Sequence, residues 1–112
     1  MSDVVISKYI DTQKQLYEDD KESLKNTFNN SLDGIIKRVK GLNHDFKSDI
    51  LTDIESLEQM SKNLVNSFTF DVFQAESSTV DTITNTFNNK FLQASLKYER
   101  LMLEQEAIIK RI

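Results

Sequence analysis

The chain has 112 residues, with no cysteine, no proline, no tryptophan and two glycines. Of these residues 38% are hydrophobic and 29% are charged, a composition that excludes collagen-like, disulfide-stapled and membrane-spanning proteins. The formal net charge of -4 argues against general binding to nucleic acid, because neutralising phosphates requires a surplus of lysine and arginine. We therefore expect one structural unit, residues 1–112, with no signal peptide and a cytosolic or nuclear location.

Apolar residues recur every three or four positions from Ile6 to Ile112 and form one stripe, which polar residues interrupt at five places: Gln13, Asp20, Ser61, Thr79 and Gln105. The average step is about 3.66 residues, close to the roughly 3.67 of an 11-residue repeat and above the roughly 3.5 of a strict heptad. Glycine and proline, which commonly form the turns of a compact domain, are almost absent. The pattern therefore predicts an all-α chain that forms one long, nearly straight helix of up to about 160 Å.

The pentapeptide Asn-Thr-Phe-Asn-Asn occurs at residues 26–30 and again at residues 85–89. Phe28 and Phe87, at the two centres, each have an apolar residue four positions before and four positions after them. Residues at this spacing share one face of a helix, and the asparagines then point elsewhere. We predict that each copy marks a buried phenylalanine and does not bind a ligand.

Two segments carry turn signals. In residues 40–45, Gly41 can follow the end of one helix and Asn43 can cap the next. In residues 76–81, Ser78 and Asp81 resemble a capping box. Turns at both places would give three helices of roughly 30 residues, a spectrin-like three-helix bundle. The apolar stripe keeps its phase across both segments, however, so the long helix is the main prediction and the bundle is the alternative.

The apolar face is broader than a two-stranded coiled coil can cover, because a second file of apolar residues follows the stripe by one position. Between Asn63 and Leu96 only four residues are charged, which suits the enclosed centre of an assembly. These features predict a coiled-coil bundle in which more than two helices meet. The second file consists of Ile36, Leu51, Val65, Phe73, Leu92, Met102 and Ile109.

The repeated pentapeptide also suggests how the chains are oriented. If Phe28 of one chain faces Phe87 of an antiparallel copy, the two-fold axis falls beside Leu57, near the middle of the chain. The predicted interface between chains is the apolar stripe. Its principal residues are Phe28, Leu32, Ile35, Val39, Leu42, Phe46, Leu57, Leu64, Phe68, Val72, Ile83, Phe87, Phe91 and Leu101.

Chemistry-bearing residues are few. His44 is the only histidine, so one chain cannot assemble a metal site with several histidines or a histidine-activated nucleophile. Neighbouring carboxylates such as Asp19 and Asp20 point in different directions on a helix, and no glycine-rich phosphate loop is present. The short basic clusters, such as residues 37–40, are assigned to solubility. We predict no enzymatic activity, no cofactor, no metal, no membrane contact and no direct sequence-specific binding of nucleic acid.

The segment from Asp71 to Ala94, followed by residues 97–106, resembles the conserved helical region of meiotic chromosome axis proteins. These are the synaptonemal complex axial-element proteins and their yeast counterparts. The matching residues are Asp71, then Ala75 and Glu76, then Ile83, Phe87 and Phe91 before a glutamine-rich run.

This resemblance implies a homotetramer in which two chains run in each direction. It also implies that such bundles join end to end into filaments that scaffold meiotic chromosomes in the nucleus. Other chromosome-axis proteins would then dock through regions outside this segment. The alternative function is a monomeric helical-bundle adaptor that binds a protein partner.

The last residues of the chain continue the apolar stripe. Ile108, Ile109 and Ile112 lie on this face, with no capping glycine and no polar tail after them. An apolar face that does not stop favours contact with another apolar surface. We therefore predict that these three isoleucines mediate the end-to-end assembly.

Overall fold

The computed structural model describes residues 2–111, which form an all-α structure. Four helices follow one another along the chain: α1 (Asp3–Val39), α2 (His44–Ser67), the short α3 (Phe70–Ala75) and α4 (Thr79–Arg111). No β-strand occurs within residues 2–111. α1, α2 and α4 pack side by side in an elongated molecule of 78 × 19 × 17 Å. The all-α prediction is therefore confirmed.

The prediction of one long, nearly straight helix is wrong, because the chain reverses at residues 40–43 and again between residues 68 and 78. α2 therefore runs antiparallel to α1 and α4, which is the arrangement of the alternative three-helix bundle. The apolar stripe keeps its phase through the first reversal because the four-residue turn is about as long as one helical turn. Leu42 in that turn is buried and takes the place of a helical stripe residue. The number of chains that associate stays a prediction.

The turn between α1 and α2 is held from across the bundle by α4. Asn43 occupies the N-cap position of α2, as predicted, but its side chain makes no capping hydrogen bond. Instead, its backbone N–H donates to Gln105 Oε1 at 2.6 Å, and Gln105 Nε2 donates to the Gly41 carbonyl at 3.2 Å. The buried Gln105 amide thus satisfies one donor and one acceptor that the helix ends leave free. Gly41 itself has an ordinary negative φ.

Aromatic side chains close the opposite end of the bundle. Phe68, directly after α2, is fully buried and packs against Tyr17 of α1, with ring centroids 5.3 Å apart. Tyr17 also donates its hydroxyl hydrogen to the Phe68 carbonyl at 2.9 Å. Phe70 and Phe73 of α3 lie 5.7 and 5.8 Å from the Tyr17 ring. We call Tyr17, Phe68, Phe70 and Phe73 the aromatic cluster.

Short polar contacts set the starts of α3 and α4. Thr69 caps α3, because its hydroxyl accepts a hydrogen bond from the Val72 N–H at 3.3 Å. α4 begins at Thr79, one residue after Ser78, within the segment predicted to turn. The Thr79 hydroxyl donates to the Glu76 carbonyl at 3.1 Å. The second predicted turn is therefore correctly placed, although the chain has already left α2 at Phe68.

α1 is much longer than α2, so its first part has little to pack against. On α1 the buried apolar core begins at Leu24 and continues to Val39. Every residue from Asp3 to Thr12 is exposed. Only the later part of α1 is therefore covered by the other two long helices.

Candidate interaction surfaces

The predicted interface residues lie in the core of a single chain. Ten of the fourteen are buried, and Phe46, Leu64, Val72 and Phe91 are half-buried against them. Packing within one chain accounts for this burial, so a role between chains would require the bundle to open and stays a prediction. The ten buried residues are Phe28, Leu32, Ile35, Val39, Leu42, Leu57, Phe68, Ile83, Phe87 and Leu101.

The two pentapeptide repeats meet inside the bundle. Phe28 and Phe87 are both fully buried, and their rings stack with centroids 4.2 Å apart and an interplanar angle of 22°. All asparagines of both repeats are exposed. The prediction of two buried phenylalanines is confirmed. They pair within one chain, between the parallel helices α1 and α4.

The two glycines do not serve a close approach of backbones in this chain. A Cβ placed on Gly34, in the middle of α1, would meet nothing within 4 Å. A Cβ on Gly41 would lie 3.4 Å from the Arg38 carbonyl oxygen and 3.9 Å from Met102 Cε. Gly34 therefore leaves an open place on the surface of α1.

The first turns of α1 present apolar side chains to solvent. We call the side chains of Val5, Ile6, Tyr9, Ile10 and Leu16 the α1 surface; each is more than a third exposed, and Tyr9 reaches 64%. Ile6 and Ile10 continue the stripe of the buried core, whereas Val5, Tyr9 and Leu16 lie beside it. Contiguous exposed apolar residues of this kind mark places where another surface binds.

A second exposed apolar line runs along the outside of α4. Leu92, Leu96 and Leu103 are 56%, 56% and 65% exposed. Their separations of four and seven residues place them on one face, which points away from the core. We call these three leucines the α4 surface. Single exposed leucines are ordinary, whereas three in line on one helix form an exposed apolar strip.

Charged residues lie within and beside the α4 surface. Glu99 and Glu106 follow the first leucine of the line by seven and fourteen residues, and Lys110 follows the last by seven, so all three lie along the leucine line. Arg100 lies on one side of this line, 3.6 Å from Glu104. The line of leucines therefore continues into charges of both signs.

The isoleucines predicted to mediate end-to-end assembly lie at the end of α4. Ile108 and Ile109 are 49% and 57% exposed and follow Gln105, the residue that holds the α1–α2 turn. Ile112 lies outside the described residues. Assembly through this end stays a prediction.

Sequence reasoning missed three features of the molecule. Gln105 was taken as a polar interruption of the stripe, whereas it is buried and hydrogen-bonded to the turn. The end of α2 at Phe68 carries no glycine or proline that would signal it. The α4 surface was not predicted as one line, because only Leu92 of its three leucines belongs to the second apolar file. The sequence pattern that could have revealed this line is the spacing of its leucines, which is four residues from Leu92 to Leu96 and seven from Leu96 to Leu103.

The polar groups most relevant to ligand chemistry are exposed or paired within the chain. His44 is exposed, and Arg38 lies over the Tyr98 ring at 6.0 Å. Lys97 Nζ contacts Asp53 Oδ2 at 2.6 Å in the groove between α2 and α4. Across residues 2–111, no three histidine, aspartate or glutamate side chains group closely enough to hold a metal ion. None of the four helices in this range combines the length and apolar character that a membrane crossing needs.

Comparison with protein-family models, with curated proteins and with solved structures gives no match for this chain.

Proposed function

We propose that this chain is a structural self-association module, which joins copies of itself through exposed apolar faces of its three-helix bundle. The observation that carries the proposal is the α4 surface, where Leu92, Leu96 and Leu103 are each more than half exposed in one line. Fully burying a leucine side chain contributes about 1.5–3 kcal/mol. Covering three of them on each of two copies is therefore a substantial driving force for association.

The α1 surface supports the same proposal independently. It lies on a different helix from the α4 surface and extends beyond the buried part of the bundle. A molecule with two separate apolar surfaces can contact two neighbours at once, and such contacts build assemblies larger than dimers.

The more specific form of the proposal combines the fold with the sequence resemblance to meiotic chromosome axis proteins. In that form the assembly contains four chains, extends into filaments and scaffolds chromosomes in the nucleus. With the chain folded back, the contacts between copies would use the outer faces of the bundle and leave the buried stripe intact. A tetramer and a filament are then successive steps of surface pairing.

Mass as a function of concentration tests the proposal. We expect light scattering and sedimentation to give a mass above that of one chain, rising between micromolar and millimolar concentration. Leu96→Glu together with Leu103→Glu should lower this mass, because a buried unpaired carboxylate costs several kcal/mol. Leu51→Glu is the matched control, since Leu51 is an exposed apolar residue of α2 outside both surfaces.

A single-chain mass at every concentration would overturn self-association. The adaptor function would then be favoured, because the same exposed faces would have to be covered by a different protein. An equal loss of mass in the Leu51→Glu control would also contradict the proposal, since the effect would not be specific to the α4 surface.

A further inference from the structure

We propose that two copies of this chain exchange their α1 helices, so that α1 of each copy packs against α2 and α4 of the other. In this domain-swapped dimer the turn at residues 40–43, which we call the hinge, straightens and joins α1 and α2 into one helix. The inference goes beyond the proposed surface contacts, because it uses the buried core and leaves the α1 surface and the α4 surface free.

The backbone of the hinge departs from a helix mainly at one residue. Lys40 has helical angles, with φ -59° and ψ -24°. The N–H groups of Gly41 and Leu42 each donate at 3.0 Å to the carbonyl three residues earlier, as in a 3₁₀ turn. Asn43 has φ -66°, a helical value, but its ψ of 159° is extended. Within residues 2–111 no φ is positive, so rotation about the Asn43 ψ is the main change that a continuous helix needs.

The hinge also keeps α1 and α2 in register. Val39 before it, Leu42 within it and Ile50 after it are all buried. Their separations of three and eight residues place them on one face of a continuous helix. A straightened hinge therefore leaves the core residues of α1 and α2 on the same side of the joined helix and turns none of these three into solvent.

Straightening the hinge provides partners for the backbone groups that Gln105 holds in the single chain. In a continuous helix the Asn43 N–H donates to the Val39 carbonyl, and the Gly41 carbonyl accepts from the Asp45 N–H. The first N–H groups of α2, which receive no cap from the Asn43 side chain, gain carbonyl partners as well. What is lost is the pair of hydrogen bonds made by Gln105. Gln105 therefore acts as a latch that holds the hinge closed.

The contacts of α1 with the rest of the bundle form again between the two copies. Phe28 of one copy stacks on Phe87 of the other, as these rings do within the single chain. Contacts between α2 and α4, such as the Lys97–Asp53 ion pair, stay within one chain. Because both forms bury nearly the same core, protein concentration decides which of them is populated.

The ends of the two α4 helices meet where the two bundles join. α1 and α2 are antiparallel neighbours, so each passes straight into the other bundle, and the two-fold axis crosses the joint near Leu42. Residues 106–111 follow Gln105 beyond the hinge, and all of them are exposed in the single chain. With the two α4 ends side by side at the joint, Ile108 and Ile109 pack against their counterparts. The swap therefore covers apolar side chains that the single chain leaves in water.

Proline at the start of α2 tests the hinge. His44 is the first residue of α2, a position that accepts proline, and Asn43 before it already has the extended ψ that proline favours. His44→Pro therefore fits the closed chain. In a continuous helix the same proline removes a hydrogen bond to the Lys40 carbonyl and clashes with that carbonyl. His44→Ala, at the same exposed position, is the matched control.

Refolding at two concentrations measures the swap. Each protein is unfolded in guanidinium and refolded at micromolar or millimolar concentration, and light scattering after size exclusion gives its mass. We expect the natural chain and His44→Ala to form a dimer at the higher concentration that dissociates slowly on dilution, because separation requires the bundles to open. His44→Pro should lower the association constant of this dimer by more than about a hundredfold. Gln105→Met, which removes the latch, should raise it by roughly tenfold.

Thiol cross-linking tests the exchange without changing the hinge, because the natural chain contains no cysteine. Asn29 of α1 and Glu58 of α2 line one groove between these helices. In the double variant Asn29→Cys with Glu58→Cys, a short reagent that joins two thiols links a closed chain to itself. In the swapped dimer the same reagent links two chains, which then migrate together on a denaturing gel.

The two experiments together decide the outcome. Chains linked in pairs after concentrated refolding, with loss of the dimer in His44→Pro, support the inference. A dimer that a folded His44→Pro variant retains, or that gives only single-chain cross-links, overturns it. A natural chain that stays single after concentrated refolding overturns it too. Circular dichroism checks that each variant is folded, and if His44→Pro is not, the cross-link decides alone.

The surface proposal fails or survives separately. Leu96→Glu with Leu103→Glu should dissociate a dimer held by the α4 surface and leave a swapped dimer intact, because neither leucine belongs to the buried core. A surface dimer should also dissociate at once on dilution, whereas a swapped dimer should not.

Discussion

The chain reverses direction at each end of the bundle, and different interactions hold the two reversals in place. At one end, the Gln105 side chain forms two hydrogen bonds with the backbone of the α1–α2 turn. At the other end, the aromatic cluster packs around the reversal that follows α2. A hydrogen bond contributes a modest net free energy, whereas burying a large aromatic ring contributes several kcal/mol. The aromatic end should therefore contribute more to stability and the polar end more to defining the geometry of its turn.

Removing the central ring of the aromatic end gives the largest expected effect. Phe68→Ala deletes a fully buried side chain that contacts Tyr17 and Phe73. The loss of buried area and the resulting cavity should lower the free energy of unfolding by about 3–5 kcal/mol. Urea unfolding followed by circular dichroism measures it. Leu51→Ala, at an exposed position, is the control and should change stability by less than about 0.5 kcal/mol.

The corresponding change at the polar end should be smaller. Gln105→Met keeps the approximate shape of the side chain but removes both hydrogen bonds to the turn. The Asn43 N–H and the Gly41 carbonyl then lose their partner, which should cost about 1–3 kcal/mol. The same unfolding experiment compares it with Phe68→Ala. If Gln105→Met were as damaging as the phenylalanine deletion, or stabilising, the distinction between the two ends would be wrong.

The two chain reversals also differ in how far they could be predicted from the sequence. The turn at Gly41 and its cap position at Asn43 carried local signals, and only the argument from unbroken phase led to the wrong architecture. That argument failed because a turn of about one helical pitch, with Leu42 buried in it, preserves the spacing. The break at Phe68 depends on packing against Tyr17, 51 residues away, and long-range packing of this kind leaves no local pattern.

The buried core was easier to predict from the sequence than the architecture. Phe28 and Phe87 were predicted as buried from apolar residues at four-residue spacing, because one side of every helix must face the core in either arrangement. Whether those faces pack within a chain or between chains depends on loop positions and on competing contacts, which periodicity does not encode. The second apolar file illustrates this point, since Val65 is buried while Leu51 and Leu92 are exposed.

A subtler change tests whether hydrogen bonding contributes at the aromatic end too. Tyr17→Phe retains the ring within the aromatic cluster but removes the hydrogen bond that its hydroxyl donates to the Phe68 carbonyl and the one that it accepts from Lys21 Nζ. We expect a loss of about 0.5–1.5 kcal/mol, the usual net contribution of one hydrogen bond, from the bond to the Phe68 carbonyl. A loss as large as that of Phe68→Ala would mean that the hydroxyl, and not ring packing, holds this end together.

The smallest expected effect is a gain near the polar end. Gly34→Ala adds a methyl group where nothing lies within 4 Å, in the interior of α1. Because glycine costs helix stability relative to alanine, the variant should be more stable by about 0.5–1 kcal/mol. Thermal unfolding at low concentration detects this as a higher midpoint. Destabilisation that grows with protein concentration would instead reveal that another copy approaches Gly34 closely.

The unequal lengths of α1 and α2 have a consequence for amide hydrogen exchange. Residues 3–12 of α1 are all exposed, so their helical hydrogen bonds are supported mainly by local interactions, which are marginal for short helices. Their amides should exchange by local fraying, whereas those near Phe28 and Val39 should exchange only when the bundle opens as a whole. One continuous helix therefore spans a gradient of protection. A partner that covers the α1 surface would flatten this gradient, and part of its binding free energy would be spent on ordering the first turns.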